Sequence, residues 1–228
     1  SGCQHPAATR THSPAEAPYT ASKPIRIANA PLVTHIYTAD PSAHVFNDRI
    51  YVYPSHDLET GMPVNDAGDH FDMKDYRVLS MDSVGGAVTD HGEALHLKNI
   101  PWAKRQLWAP DAAHKDGKYF LYFPARDQQD IFRIGVAISD SPAGPFRAEA
   151  KPIAGSFSMD PAVFKDDNGA YYLYSGGIWG GQLQRWTSGT YQPEDVYPAD
   201  DQPALSAKIA RLSDDMLQYA EAPRDVLI

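Results

Sequence analysis

One pattern recurs three times along the chain and limits what it can fold into. Residues 40–53, 110–123 and 160–174 each run carboxylate, short apolar strand, polar turn, aromatic-rich strand. The turns are Asn47-Asp48, Asp116-Gly117 and Asn168-Gly169. Asn, Asp and Gly tolerate the positive φ that tight hairpins require. The later half of each unit repeats as well: Val78-Leu79-Ser80-Met81-Asp82, Ala137-Ile138-Ser139-Asp140 and Arg211-Leu212-Ser213-Asp214 each close an alternating strand. Each unit therefore holds about four antiparallel strands. Helical periodicity is scarce, with at most a turn or two between Gln202 and Ile209. A sandwich also contains many short strands, but repetition of a whole four-stranded unit at roughly 45–70 residues favours a β-propeller. The expected class is all-β, with blades at about 28–100, 101–157 and 158–228. Known propellers close with about four to eight blades. Three would leave two open faces of apolar surface and unpaired strand edge. The sequence therefore reads as part of a longer propeller, or as one closed by self-association.

Composition agrees and excludes several functions. The 228 residues include 13 Tyr, 4 Trp, 16 Gly and 19 Pro, a mixture of strand and turn formers. Lys and Arg number 20 against 29 Asp and Glu, a net charge of −9. Such a chain, with no basic stripe, is a poor partner for nucleic acid. No run of 18 apolar residues suggests a membrane-spanning helix. The lone Cys3 excludes a disulfide framework and has no partnered base nearby in sequence. Residues 1–24 are rich in Ala, Pro, Thr, Ser and His and read as a disordered linker. Ser1-Gly2-Cys3 is similar to the cleavage end of a bacterial lipoprotein signal. That similarity implies an extracytoplasmic protein, periplasmic or on the cell surface, whose membrane contact is a lipid on Cys3.

The innermost strand of each blade lines the propeller axis, so equivalent residues at its start converge on one mouth of the channel. Asp40 and Asp160 occupy that position, each followed by Pro. Asp111 is displaced by one residue, its order being Pro110-Asp111, and a one-residue slip turns a strand side chain to the other face. Paired carboxylates across a channel suit glycoside hydrolysis, which proceeds with inversion when they stand about 6.5–9.5 Å apart. The plainer reading of an Asp-Pro step is a turn at strand entry. The Gly-rich stretch Gly176 to Gly181 around Trp179 lacks phosphate-binding spacing and suits close backbone approach to a sugar or a turn. Asp166-Asp167-Asn168-Gly169 is too short for an EF-hand and reads as a hairpin turn. No paired metal-ligand spacing links the scattered His residues.

Together, Ala39-Asp40-Pro41-Ser42, Trp108-Ala109-Pro110-Asp111, Met159-Asp160-Pro161 and Ser141-Pro142-Ala143-Gly144-Pro145-Phe146 resemble glycoside hydrolase family 43. Tyr53-Pro54-Ser55-His56-Asp57, Asp69-His70-Phe71 and Trp102-Ala103-Lys104-Arg105 look most like its β-xylosidase-like members. The resemblance implies a five-bladed propeller that removes β-xylosyl or α-L-arabinofuranosyl residues from cell-wall oligosaccharides with inversion. It implies Asp40 as general base and Asp160 as the residue that orients the general acid and raises its pKa. The acid in this family is a Glu opening the fourth blade. Glu221, in Glu221-Ala222-Pro223, superficially fits, but it follows the last strand of the third unit, so the acid is expected beyond Ile228. The resemblance also implies that Trp108 and Ala109 shape the sugar pocket. His56 and Asp57, near the expected mouth, are candidates to bind sugar hydroxyls. No cofactor is implied beyond a structural Ca2+ that some members hold on the axis through later blades, outside this chain. Two rivals stay open: a retaining fructosidase-type propeller and a non-catalytic, surface-tethered sugar-binding propeller.

Overall fold

A computed structural model of the chain describes residues 30–226. The tail bearing Cys3 lies outside the described residues. Among the described residues, twelve strands form three four-stranded antiparallel sheets, each in simple chain order. The first sheet contains β1 (Tyr37–Phe46), β2 (Arg49–Asp57), β3 (Asp75–Met81) and β4 (Thr89–His96). The second contains β5 (Asp111–Lys115), β6 (Lys118–Arg126), β7 (Phe132–Ser139) and β8 (Arg147–Ala148). The third contains β9 (Ala162–Lys165), β10 (Tyr171–Ser175), β11 (Lys208–Arg211) and β12 (Arg224–Asp225). The first strands lie side by side, β1 against β5 and β5 against β9. These are propeller blades arranged around a common inner edge.

Hairpin chemistry fixes the entry to each blade. Asn47 and Asp48 have φ of 51° and 58°, and Asp116 and Gly117 have 50° and 75°. Two successive positive φ values make the two-residue turn whose twist matches its strands. The third hairpin turns at Asp166-Asp167-Asn168-Gly169, as expected, but with different geometry from the first two. Only Gly169 is left-handed there, at 84°. Its N–H donates to Asp166 O at 2.9 Å, and Asp166 N–H donates to Ala170 O at 2.8 Å. The loop is one residue longer, with glycine absorbing the bulge. The structure differs from expectation between Gln202 and Ile209, where no helix forms. The chain is irregular until β11 begins at Lys208. There Ile209 pairs with Tyr174, and Ile209 and Ala210 are buried, so sheet pairing overrides a short, weak helical pattern.

The middle blade is apolar on both faces, as a sheet buried on both sides must be. Along β6, Tyr119, Leu121 and Phe123 face the first blade, joining Tyr53, Tyr76 and Val78. Phe120 and Tyr122 face the third, joining Tyr171, Leu173 and Met216. Strand alternation thus divides one apolar run between two cores. Three buried phenols bond across the blade boundaries. Tyr53 donates to Pro142 O at 2.6 Å, Tyr76 to Trp108 O at 2.6 Å and Tyr122 to Met216 O at 2.7 Å. Burial pushes all three phenol pKa values up, so these hydroxyls stay protonated and keep donating.

Asp111 binds the inner strands together. Its Oδ1 is 2.6 Å from His44 Nε2 on β1 and accepts from Ala112 N–H at 2.8 Å. Its Oδ2 accepts from Val163 N–H on β9 at 2.6 Å. One buried carboxylate therefore joins all three blades, turned away from the cavity where Asp40 and Asp160 meet.

Candidate active site

Asp40 and Asp160 both sit at breaks in regular strand. The β1–β2 register shifts between Ala39 and Ser42, so Asp40 and Pro41 form a bulge. Bulges re-aim a side chain beside functional sites. Asp40 has φ of 48° and Asp160, just ahead of β9, has 56°. A left-handed residue other than glycine is uncommon, Asp being among the more tolerant types. Two at equivalent places mark backbone held in a costly conformation by its surroundings.

Both carboxylates line one cavity of about 560 Å³, together with Asp57, Trp108 and Ala109. Asp160 retains solvent-exposed surface, yet protein atoms crowd its carboxyl. That desolvation raises its pKa above the ordinary carboxylate value, and the negative charge of Asp40 raises it further. Beneath the pair, the phenol of Tyr76 is pushed up first by burial and then by the charge of Asp160.

The Gly-rich stretch holds the Asp160 segment. Ser158 Oγ donates to Gly181 O at 2.8 Å and accepts from Gly177 N–H at 2.9 Å. Gly176 N–H donates to Met159 O at 2.9 Å. A Cβ on Gly181 would meet Met159 Cε at 2.6 Å, so glycine is what permits this approach. Trp108 forms the aromatic wall and is only 9% exposed. Its Nε1 donates to Phe71 O at 2.7 Å, and its ring packs on Phe132 at 4.7 Å between centroids. Gly180 closes against it. A Cβ there would stand 2.6 Å from Ala67 O and 2.8 Å from Trp108 Cη2. Gly180→Ala is therefore expected to cost about 2 kcal/mol through overpacking, read as a lowered denaturation midpoint. The backbone carbonyl at Ala67 cannot step aside as a side-chain end would.

A charged ring braces the rim loop between β2 and β3. Arg105 reaches Asp69 and Asp130, each at 2.8 Å, and Lys104 reaches Asp130 at 2.6 Å. Hydrogen bonds from Asn65 and then Arg105 hold the Asp69 carboxyl below its ordinary range. Behind this ring, Arg126 is buried and donates to Ala67 O at 2.9 Å.

The structure brings Asp40, Asp57, Trp108, Ala109 and Asp160 to one cavity. His56 and Glu221 lie outside its lining. His56 Nδ1 is 2.8 Å from Asp75 Oδ1. Glu221 is exposed beside β11, where its Oε1 accepts from Arg211 N–H at 3.0 Å. Lining residues that sequence reasoning did not select include Asn65 and Asp66, whereas Phe71 and Met159 stand in stretches that carried the family resemblance without being assigned a role. Trp179 was singled out within its glycines, and that pattern is the signal for its place here. Among the described residues, no three His, Cys, Asp or Glu side chains gather as a metal site.

The carboxylate pair has a testable electrostatic consequence. In an NMR titration, the Asp160 carboxyl is expected to titrate above the ordinary Asp range and to move down in Asp40→Asn. The linkage sign follows. A raised native pKa means that the folded state binds the proton more tightly. This group's contribution to stability is therefore full below the unfolded pKa and is lost as pH rises through the native value. Asp40→Asn narrows that window.

The chain matches Glycosyl hydrolases family 43 over residues 31–226. It is 56% identical over 207 residues to Xylosidase/arabinosidase 43A of Humicola insolens, covering 87% of this chain and 63% of that protein. It is 54% identical over 198 residues to a Xylosidase/arabinosidase of Bacteroides ovatus, covering 86% and 61%. The chain thus spans a little over three fifths of the length of these curated relatives. Among solved structures, it superposes with a TM-score of 0.84 and 66% identity on a GH43 β-xylosidase/α-arabinofuranosidase from a compost microbial metagenome. That structure is a calcium-free form in complex with xylotriose, and the match covers 86% of this chain and 61% of the other. The repeated blades, the paired Asp-Pro steps and these matches agree: the chain belongs to glycosyl hydrolase family 43.

Proposed function

We propose that this protein removes terminal β-xylosyl or α-L-arabinofuranosyl residues from plant cell-wall oligosaccharides by hydrolysis with inversion. The observation that carries this reading is the convergence of Asp40, at a strand bulge, and Asp160, just ahead of β9, both with left-handed backbone, on one aromatic-walled cavity. The names of the relatives supply the sugar class. Asp40 is the general base. Its carboxylate takes a proton from water, and the water oxygen attacks the anomeric carbon from the face opposite the leaving group. The glycosidic C–O bond breaks as a general acid protonates the departing oxygen. Asp160, beside Asp40, orients that acid and raises its pKa through like charge. The acid belongs to a part of the propeller other than these three blades, because Glu221 lies away from the cavity. Trp108 offers an apolar wall to the C–H face of the sugar, and Asp57 a hydroxyl acceptor. The test is release of xylose from xylobiose, or of arabinose from an α-arabinofuranoside, by the full-length protein. Absence of both activities while a hexoside or fructoside is cleaved overturns the sugar assignment.

A further inference from the structure

The chain contains five methionines, and their environments differ sharply. Met73, Met81 and Met216 are buried, at 2%, 5% and 0% exposure. Met62, in the connection between β2 and β3, is exposed. Met159 is half-buried and lines the cavity next to Asp160. Its side chain lies against two glycines. A Cβ on Gly177 would collide with Met159 Cε, and one on Gly181 would stand 2.7 Å from Met159 Sδ. On its other side is the apolar cluster of Met73, Trp108 and Phe132, which Ala39, the neighbour of Asp40, also joins. One flexible thioether thus fills the space between the segments that carry the two carboxylates, the irregular gap-filling to which methionine is suited.

That position is chemically vulnerable. A thioether is oxidised where an oxidant reaches its sulfur. The cavity of about 560 Å³ admits a molecule as small as a hydroperoxide. The sulfur attacks one peroxide oxygen, so an S–O bond forms as the O–O bond breaks. Sulfur is oxidised to the sulfoxide, and the departing hydroxide takes up the remaining peroxide proton and leaves as water. The product is polar where the thioether was apolar. Its new oxygen is an acceptor among Met73, Trp108, Phe132 and Ala39, which offer it no free side-chain donor. The Trp108 indole N–H is already given to Phe71 O at 2.7 Å. An acceptor left unsatisfied there is costly, so the oxidised side chain is driven out into the cavity. Asp160 then loses the packing beneath a backbone already held left-handed, at φ of 56°.

We propose that Met159 is a reversible oxidation site, at which hydroperoxide converts the thioether to a sulfoxide that displaces Asp160 and obstructs the sugar cavity. Met62 oxidises without this effect, because it lies outside the cavity lining. Reduction of the sulfoxide restores the packing against Gly177 and Gly181. The inference rests on the pentoside reading above only for its binding readout.

The experiment exposes the full-length protein to dilute hydrogen peroxide and follows each methionine by peptide mass spectrometry. Met62 and Met159 are expected to oxidise at least about tenfold faster than Met73, Met81 and Met216, following exposure. Xylose affinity, measured by calorimetry, is expected to fall about tenfold in step with Met159 sulfoxide and to return on treatment with methionine sulfoxide reductases for both epimers. Met159→Leu has similar volume and no sulfur. Compared with its own untreated sample, it is expected to keep its affinity while Met62 oxidises. Met62→Leu is expected to lose affinity as the unaltered protein does, so the inference does not depend on one variant's folding. Oxidation of Met159 no faster than that of the three buried methionines overturns the inference. Equal loss of affinity in Met159→Leu also overturns it, as does complete Met159 sulfoxide that leaves the Asp160 carboxyl NMR signal unmoved. Failure of the untreated protein to bind xylose overturns the pentoside reading alone, and the Asp160 signal, expected to shift on oxidation, then decides the inference by itself.

Discussion

In the full-length protein, Asp40→Asn is expected to lower kcat for the proposed pentoside hydrolysis by about 10²–10⁴-fold, the range that a positioned general base supplies, with little change in KM or thermal stability. The substitution keeps the shape of the side chain. Asn accepts the left-handed backbone that Asp40 holds at 48° as readily as Asp does, so the β1 bulge survives. Only the basic oxygen is lost. The same change lowers the Asp160 pKa, because Asp40 is the like charge that raises it after burial. The variant therefore shows two coupled signatures, a fall in turnover and a downward move of the Asp160 titration. Loss of turnover together with a lowered melting temperature would instead assign Asp40 a structural role.

Asp111→Ala is expected to produce the opposite pattern, a loss of about 3 kcal/mol in stability, read from denaturant unfolding. Removing the carboxylate deprives His44 of its partner on β1 and Val163 N–H of its acceptor on β9. It also leaves a hole between the inner strands. Asp111→Asn is expected to recover roughly half of that loss, since an amide oxygen still accepts one backbone N–H. The melting temperature reports this effect first. Any fall in activity follows from displacement of β1 and β9, which carry or adjoin Asp40 and Asp160.

These two residues also show what was legible in the sequence. The repeat revealed the inner strands because their turns need Asn, Asp or Gly and their neighbours alternate in polarity. It distinguished Asp111 from Asp40 and Asp160 because a one-residue offset reverses a strand side chain. The structure accordingly has Asp111 bridging the blades and the other two in the cavity. It could not reveal the rim. Asn65 and Asp66 come from the long connection between β2 and β3, which has no period and takes its shape from Arg105, Asp69 and Asp130. His56 is drawn to Asp75, a partner 19 residues away that no local pattern announces. The glycines around Trp179 were readable as close backbone approach, but what they approach, Met159 and Trp108, emerges only in three dimensions.

The central claim, an inverting pentosidase built on Asp40 and Asp160, is tested most directly by the first anomer released from xylobiose. Proton NMR of the full-length protein at work resolves the two anomers before mutarotation mixes them. Inversion at a β-xyloside delivers α-xylose first, and that is the predicted result. Release of β-xylose first would contradict it, requiring Asp40 to act as a nucleophile with carboxylates about 5–5.5 Å apart. Xylobiose binding without release of either anomer would contradict it differently, leaving a propeller that captures pentose chains and does not cut them.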